Sequence, residues 1–158
     1  MLFRGRDPLN KLLKILGTLF YTGYFPIYPS VVGSLWGIGF LFLIKTQLVH
    51  FLLILFFFIL GSLSARERIA STENPDPPEI ILDEVCGILI TFLWIGKKLV
   101  YLIGGFLIFQ LFDLLKPFPL KRLEKVRGGW GVVLDDVFAG MYANIILRLW
   151  ILVYSISL

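Results

Sequence analysis

Apolar and polar positions alternate along this chain as long greasy runs broken by short, strongly charged interruptions. Val31 to Ile44 is apolar, Lys45-Thr46-Gln47 breaks the run, and Leu48 to Ser64 is apolar again. The pattern predicts two short helices joined by a tight turn. One long helix would leave Lys45 and His50 facing lipid or needing partners. A third helix is predicted from about Asp83 to Ile95, with Gly96-Lys97-Lys98 as the turn after it. A fourth runs to about Leu115 and stops at Lys116-Pro117, because proline disfavours helix in the residue before it. A fifth runs from about Val132 to near the C-terminus. Ahead of these, residues 1–24 set Arg4, Arg6, Lys11 and Lys14 among Leu9, Leu12, Leu13, Ile15, Leu16 and Phe20. That spacing predicts an amphipathic helix at the membrane surface, after which Gly23, Pro26 and Pro29 break regular structure. Residues 65–82 and 116–131 read as loops on one membrane face, too polar to lie in lipid.

Composition turns these runs into a class. Hydrophobic residues make up 58% of the 158 and the mean hydropathy is +0.86, against about 45 to 50% apolar in a soluble domain. Several runs exclude a lone signal peptide or single anchor. The expected fold is an all-α, polytopic membrane helix bundle in one domain over residues 1–158. It has about five short transmembrane helices plus the N-terminal amphipathic helix. A span needs about 20 residues, so the shorter runs need flanking polar groups at headgroup depth or a locally thinned bilayer. Arg4 to Lys14, Arg66, Arg68 and the cluster Lys116 to Arg127 fall on one side, against Lys45, Lys97 and Lys98 on the other. By the positive-inside rule the first side is cytoplasmic. All the acids lie on that side or within a turn of it. The net charge of +4 therefore favours anionic headgroups, and no nucleic-acid motif appears. Cys86 is alone, so no intrachain disulfide can form.

The acids are the candidate chemistry. Asp83-Glu84 and Asp135-Asp136 each open an apolar run, and Asp113 lies near the end of another. Charge in lipid costs roughly 2.5 to 3.5 kcal/mol per residue on insertion scales. A helix N-terminus favours one such pair by about 0.3 to 1 kcal/mol, which explains either pair alone better than both together with Asp113. The cheapest shared partner is a hard divalent cation with oxygen ligands. Gly87 follows Asp83 by one turn, and Gly140 follows Asp136 by one turn. Two such faces can approach closely, which would bring Asp83 and Asp136 to one ion. Glu84 and Asp135, about 100° round their helices, would flank the ion, hold a second one, orient a water or face headgroups. Gly128-Gly129-Trp130-Gly131 precedes a helix and can aim backbone N–H groups at a phosphate; the bland alternative is a tight interfacial turn. Arg127 and Lys116 can grip phosphate oxygens or simply anchor the cytoplasmic face. Ser34 and Tyr28 lie on the same side with nothing to activate them. His50, the only histidine, is on the far side, which excludes two-histidine phosphatases, a Ser-His-Asp triad and a histidine zinc site. What remains is metal-assisted chemistry on a phosphate, with water or one Asp as nucleophile.

Three blocks carry a family resemblance: Gly23-x-x-Pro26-x-x-Pro29 with Gly33-Ser34; Ile81-Leu82-Asp83-Glu84-Val85-Cys86-Gly87; and Phe109-x-x-Phe112-Asp113-x-x-Lys116-Pro117-x-Pro119. The third continues through Gly128-Gly129-x-Gly131-Val132-x-x-Asp135-Asp136-x-x-Ala139-Gly140. Together they span about residues 17–144, and the chain resembles the phosphatidylglycerophosphatase A family. The resemblance implies a Mg²⁺-dependent enzyme of the bacterial inner membrane, in phospholipid biosynthesis. It would remove the terminal phosphate of phosphatidylglycerophosphate, with Asp83, Glu84, Asp113, Asp135 and Asp136 as catalytic metal ligands. Lys116, Arg127, Gly128, Gly129, Gly131 and Ser34 would bind the anionic lipid. Where the family usually reads Pro-Gly-Thr this chain has Pro29-Ser30-Val31, so Ser30 could supply the hydroxyl one position earlier. The rivals are a phosphatase for another anionic lipid phosphate and a small cation transporter or channel. The latter would need carboxylates along a path through the bilayer.

Overall fold

Helices form where the apolar runs are. The computed structural model describes residues 8–26, 28–72, 74–118, 120–123 and 128–156, and every regular element among them is helical. In chain order these are α1 (Pro8–Gly17), α2 (Pro29–Leu43), α3 (Gln47–Thr72), α4 (Leu82–Thr91), α5 (Leu99–Leu115), the single turn α6 (Leu120–Leu123) and α7 (Gly129–Ile156). A 3₁₀ turn at Thr22–Tyr24 links α1 to α2. The expected break between α2 and α3 is present, and Lys45 is exposed at it.

The bundle is built round its shortest apolar helix. α4 is buried from Leu82 to Leu89 and packs against α2, α3, α5 and α7. A helix apolar on every side belongs in a core. Its contact with α7 is glycine on glycine: a Cβ on Gly140 would collide with the Gly87 carbonyl, and one on Gly87 would lie 2.9 Å from the Asp136 carbonyl oxygen. α2 seats on α4 in the same way through Gly33 and Gly37, against Ile81, Glu84 and Ile88. Small residues thus replace side-chain interdigitation with backbone contact, as membrane helices do.

Ten residues of α4 rise only about 15 Å, half of the roughly 30 Å hydrocarbon core. The chain then turns and runs on to Lys98, and Lys97 Nζ donates to the Ile44 carbonyl at 2.7 Å. That contact puts the α4–α5 connection at the same end as the α2–α3 turn. Ending a helix inside a bundle strands its last carbonyls, and side chains take them. His50 Nε2 donates to Leu89 O at 2.8 Å. Asn144 Nδ2 reaches the carbonyls of Ile90, Thr91 and Leu93 at 3.2, 2.8 and 3.1 Å. Arg148 Nη2 adds Leu93 O at 2.7 Å. The positive charge at this C-terminus also matches the helix dipole. His50 and Arg148, the two polar oddities of the apolar runs, are thereby accounted for.

Of the five transmembrane helices that the apolar runs predict, two among the described residues, Gln47–Thr72 and Gly129–Tyr154, are long and apolar enough by themselves to cross a membrane; Pro29–Leu43 and Leu99–Leu115 are apolar but shorter. Both long helices are mostly unburied, and large apolar side chains such as Phe51, Leu55, Leu107, Ile145, Leu149 and Leu152 are exposed. An apolar belt of that extent marks a membrane protein. One expectation needs correction: residues 65–82 are not all loop. α3 continues to Thr72, because Ala65 packs with Ile80 and Val132 and Arg68 pairs with Glu79. Likewise the 116–131 stretch contains α6, and α7 opens at Gly129 rather than Val132.

The crossing generates a contrast that mutagenesis can read. Gly140→Val should lower stability by at least about 1–3 kcal/mol, the usual overpacking penalty, because the clash is with backbone. Gly39→Ala, on an open face of α2 with no atom within 4 Å of the new methyl, should be neutral or stabilising by up to about 1 kcal/mol. Thermal unfolding in detergent micelles checks both.

Candidate active site

Opposite the Lys97 end lies a cavity of about 350 Å³ whose walls include Tyr28, Ser30, Asp76, Asp83, Glu84, Asp113, Lys116, Asp135 and Asp136. The five acids singled out from the sequence therefore meet in one place, drawn from three helices. α4 supplies Asp83 and Glu84 in its first turn, where the dipole favours negative charge. α7 supplies Asp135 and Asp136 one turn before Gly140, and α5 supplies Asp113 in its last turn.

Within the five, three stand apart. Asp83, Glu84 and Asp136 are all buried, and each offers a carboxylate oxygen within 4.8 Å of the others. Two ligands on opposite sides of a Mg²⁺ or Ca²⁺ ion lie roughly 4 to 5 Å apart at ordinary bond lengths, so the spacing fits one hard cation. Asp83 Oδ1 and Glu84 Oε2 are buried without a hydrogen-bond partner among the described residues. Buried polar atoms are almost always satisfied, and charge-dense oxygens left open in this way are what a divalent cation completes. Adjacency on the helix does not keep Glu84 from joining Asp83.

Asp113 and Asp135 line the cavity but have protein partners. Asp135 Oδ2 accepts from Lys116 Nζ at 2.7 Å, and its Oδ1 accepts the Asp136 N–H at 3.2 Å. Asp113 Oδ2 accepts from Ser30 Oγ at 3.0 Å. Lys116 reaches across because it caps α5 in the left-handed region, at φ 40°. That conformation costs roughly 1–2 kcal/mol for a residue with a Cβ, and strain of this kind collects at functional sites. Tyr28, at φ 51°, caps α2 likewise and delivers Pro29 and Ser30 to the cavity.

The remaining expected binders are placed less directly. Ser34 is fully buried behind the cavity and accepts from Gln110 Nε2 at 2.7 Å; the same amide lies 3.5 Å from Ser30 Oγ. Ser34 thus supports Ser30 and Asp113 through Gln110 rather than facing a ligand. Gly129 is not part of the cavity wall: a Cβ there would meet Ser62 and Arg66 of α3. Gly131 is buried inside α7, and the wall begins one residue later at Val132. Gly128, at φ 85°, makes the turn into α7 and is also absent from the wall. Gly129 thus seats α7 on α3, and none of the three glycines lines this cavity. Arg127 lies outside the described residues.

The family model for phosphatidylglycerophosphatase A matches residues 15–151, which include every acid in the cavity. The chain belongs to the phosphatidylglycerophosphatase A family. It is 31% identical to the phosphatidylglycerophosphatase A of Haemophilus influenzae over 92% of this chain and 98% of that one. It is 28% identical to the phosphatidylglycerophosphatase A of Escherichia coli, over 87% and 83%. A Bacteroides thetaiotaomicron protein named "Putative phosphatidylinositol-3-phosphatase" is 30% identical over 87% and 94%. No solved structure matches the chain. The phosphatidylglycerophosphatase A relatives are phosphatases, and so is this protein.

Two wall or support residues escaped the sequence reading. Gln110 is the lone polar side chain of α5 before Asp113 and precedes it by three residues, on the same face; that spacing was the available signal. Asp76 sits in the proline-rich loop after α3, where the Asn74 side chain accepts its N–H at 3.2 Å; nothing local marks it.

Lys116→Ala should leave Asp135 without its charge-assisted bond, worth about 1.5–3 kcal/mol. Phosphatase activity should fall about tenfold to a hundredfold, with a lowered Tm. Lys116→Arg should restore Tm more fully than rate. Paired unfolding and phosphate-release assays separate the two readouts.

Proposed function

We propose that this protein is a Mg²⁺-dependent lipid phosphatase. It hydrolyses the terminal phosphomonoester of phosphatidylglycerophosphate to phosphatidylglycerol and phosphate, in phospholipid biosynthesis. The observation that carries the metal is the Asp83–Glu84–Asp136 triad, with two buried carboxylate oxygens lacking partners. The family and the names of the Haemophilus and Escherichia relatives support the substrate.

Asp83, Glu84 and Asp136 would hold Mg²⁺, with Asp113 and Asp135 as flanking acids. When bound, the ion would polarise a phosphoryl oxygen and lower the pKa of a coordinated water. The chain's own groups do the rest. Lys116 balances Asp135 and sets a positive charge at the cavity wall, where a phosphate oxygen can share it. Ser30, backed by Gln110 and Ser34, fixes the Asp113 carboxylate. The attacking group is a water, or one Asp of the cavity.

The same reading places the protein in the bacterial inner membrane as a multi-pass protein, with five chain passes and the third broken at the end of α4. The acid end faces the cytoplasm, with the excess of basic residues beside it. A lipid headgroup can enter there while its acyl chains stay in the bilayer.

In detergent micelles, phosphate release from phosphatidylglycerophosphate should require Mg²⁺ and stop with EDTA. Asp136→Asn and Asp83→Asn should each lower it by at least about 100-fold, the scale of losing one key electrostatic group. Indifference to chelation, or full activity in both variants, would sink the metal site. Faster release from phosphatidylinositol 3-phosphate than from phosphatidylglycerophosphate would instead move the substrate toward the Bacteroides relative's name.

A further inference from the structure

A second cavity, of about 490 Å³, lies between α1 and the end of α3. Its walls include Asn10, Lys11 and Lys14 of α1, Tyr21 beyond it, and Glu67 and Arg68 of α3. It shares no wall residue with the acid cavity. The two are separated by the segment between Pro78 and Ile80, whose Glu79 holds Arg68. Asn10, Lys11 and Lys14 also precede the part of the chain that matches the family.

The wall carries Lys11, Lys14 and Arg68 against Glu67, and since Arg68 is itself paired with Glu79, the basic excess comes from Lys11 and Lys14. Its most telling residue is Asn10. On a helix with an otherwise apolar inner face, Asn10 is only 6% exposed, and its Nδ2 has no hydrogen-bond partner among the described residues. A buried amide donor needs an acceptor. Lys14 stands over the rings of Tyr21 and Tyr24, at 5.4 Å from the Tyr24 centroid, so its charge is held beside the cavity rather than waving in solvent. α1 itself is fixed: Ser64 Oγ donates to Leu13 O at 3.1 Å, and Ile81 N–H to Gly17 O at 3.1 Å. The occupant must therefore bring acceptor oxygens and negative charge, which is the chemistry of a phosphate ester. Leu9, Leu12, Phe20, Tyr21, Tyr24 and Phe25 are exposed around it, the mix of aliphatic and aromatic side chains found at headgroup depth.

We propose that this cavity is a second, non-catalytic site that takes the phosphate of an anionic phospholipid headgroup. The proposal rests on the cavity and not on the reaction, so its test reads binding rather than turnover. Full-length protein in detergent is titrated with dioleoylphosphatidylglycerol and followed by native mass spectrometry. Dioleoylphosphatidylcholine is the zwitterionic control and inorganic phosphate the competitor. Lys11→Gln with Lys14→Gln should weaken retention of one phosphatidylglycerol by about tenfold or more, while Lys98→Gln, at the far end, should not. Asn10→Ala should weaken it too and leave the Tm of the lipid-free protein unchanged or raised. It should abolish the extra Tm that phosphatidylglycerol confers on the wild type. Unchanged retention in both α1 variants, or an equal loss in Lys98→Gln, would overturn the site. Displacement by millimolar inorganic phosphate would overturn the lipid as its occupant.

Discussion

One contact decides the rest: the backbone of Gly87 against the backbone of Gly140. Two helices can approach this closely only where neither carries a Cβ. One turn before each glycine stands an aspartate, so the crossing brings Asp83 and Asp136 to the same point. Glu84 completes the triad, and α5 packs in behind, with Phe109 against Gly87. The geometry of the acid cluster is thus a by-product of helix packing, and no loop has to position these three side chains.

Charge balance follows from the same geometry. Carboxylates crowded this tightly and cut off from water repel one another, and the protein answers only part of that repulsion from its own resources. Lys116 serves Asp135 and Ser30 serves Asp113. Among the described residues, no cation of the chain pairs with the inner three. The site is therefore divided in two: an outer pair that the protein holds by an ion pair and a hydrogen bond, and an inner cluster with two carboxylate oxygens that lack a partner among the described residues.

The glycine and acid spacing made much of this legible in the sequence. Asp83-x-x-x-Gly87 and Asp136-x-x-x-Gly140 state both the crossing and the site, because helical periodicity turns a four-residue interval into one face. Segment types followed from hydropathy for the same reason. What misled was composition read without packing. Residues 65–72 are polar, yet they extend α3, since Ala65 finds a buried face and Arg68 finds Glu79. The close seat of Gly129 on α3 was likewise not readable from the glycine run itself. Gln110 looked like one polar residue among many apolar ones until the fold brought Ser30 and Ser34 to it. Long-range partners of this kind carry no local signature.

The burial of α4 separates the acid cluster from the apolar surface of the bundle. Large apolar side chains are exposed on the long helices α3 and α7, the two long enough to cross a membrane, which can tilt to meet a thicker or thinner one. α4 adds little to that surface: it is buried from Leu82 to Leu89 and its loose carbonyls are tied to α3 and α7. Hydrophobic mismatch therefore acts on the shell of the bundle and reaches the acids through the close backbone contacts of α4 with α7 and α2, which leave little room to slide. Such a centre can keep its shape while the lipid composition around it changes, a fitting property for a lipid phosphatase.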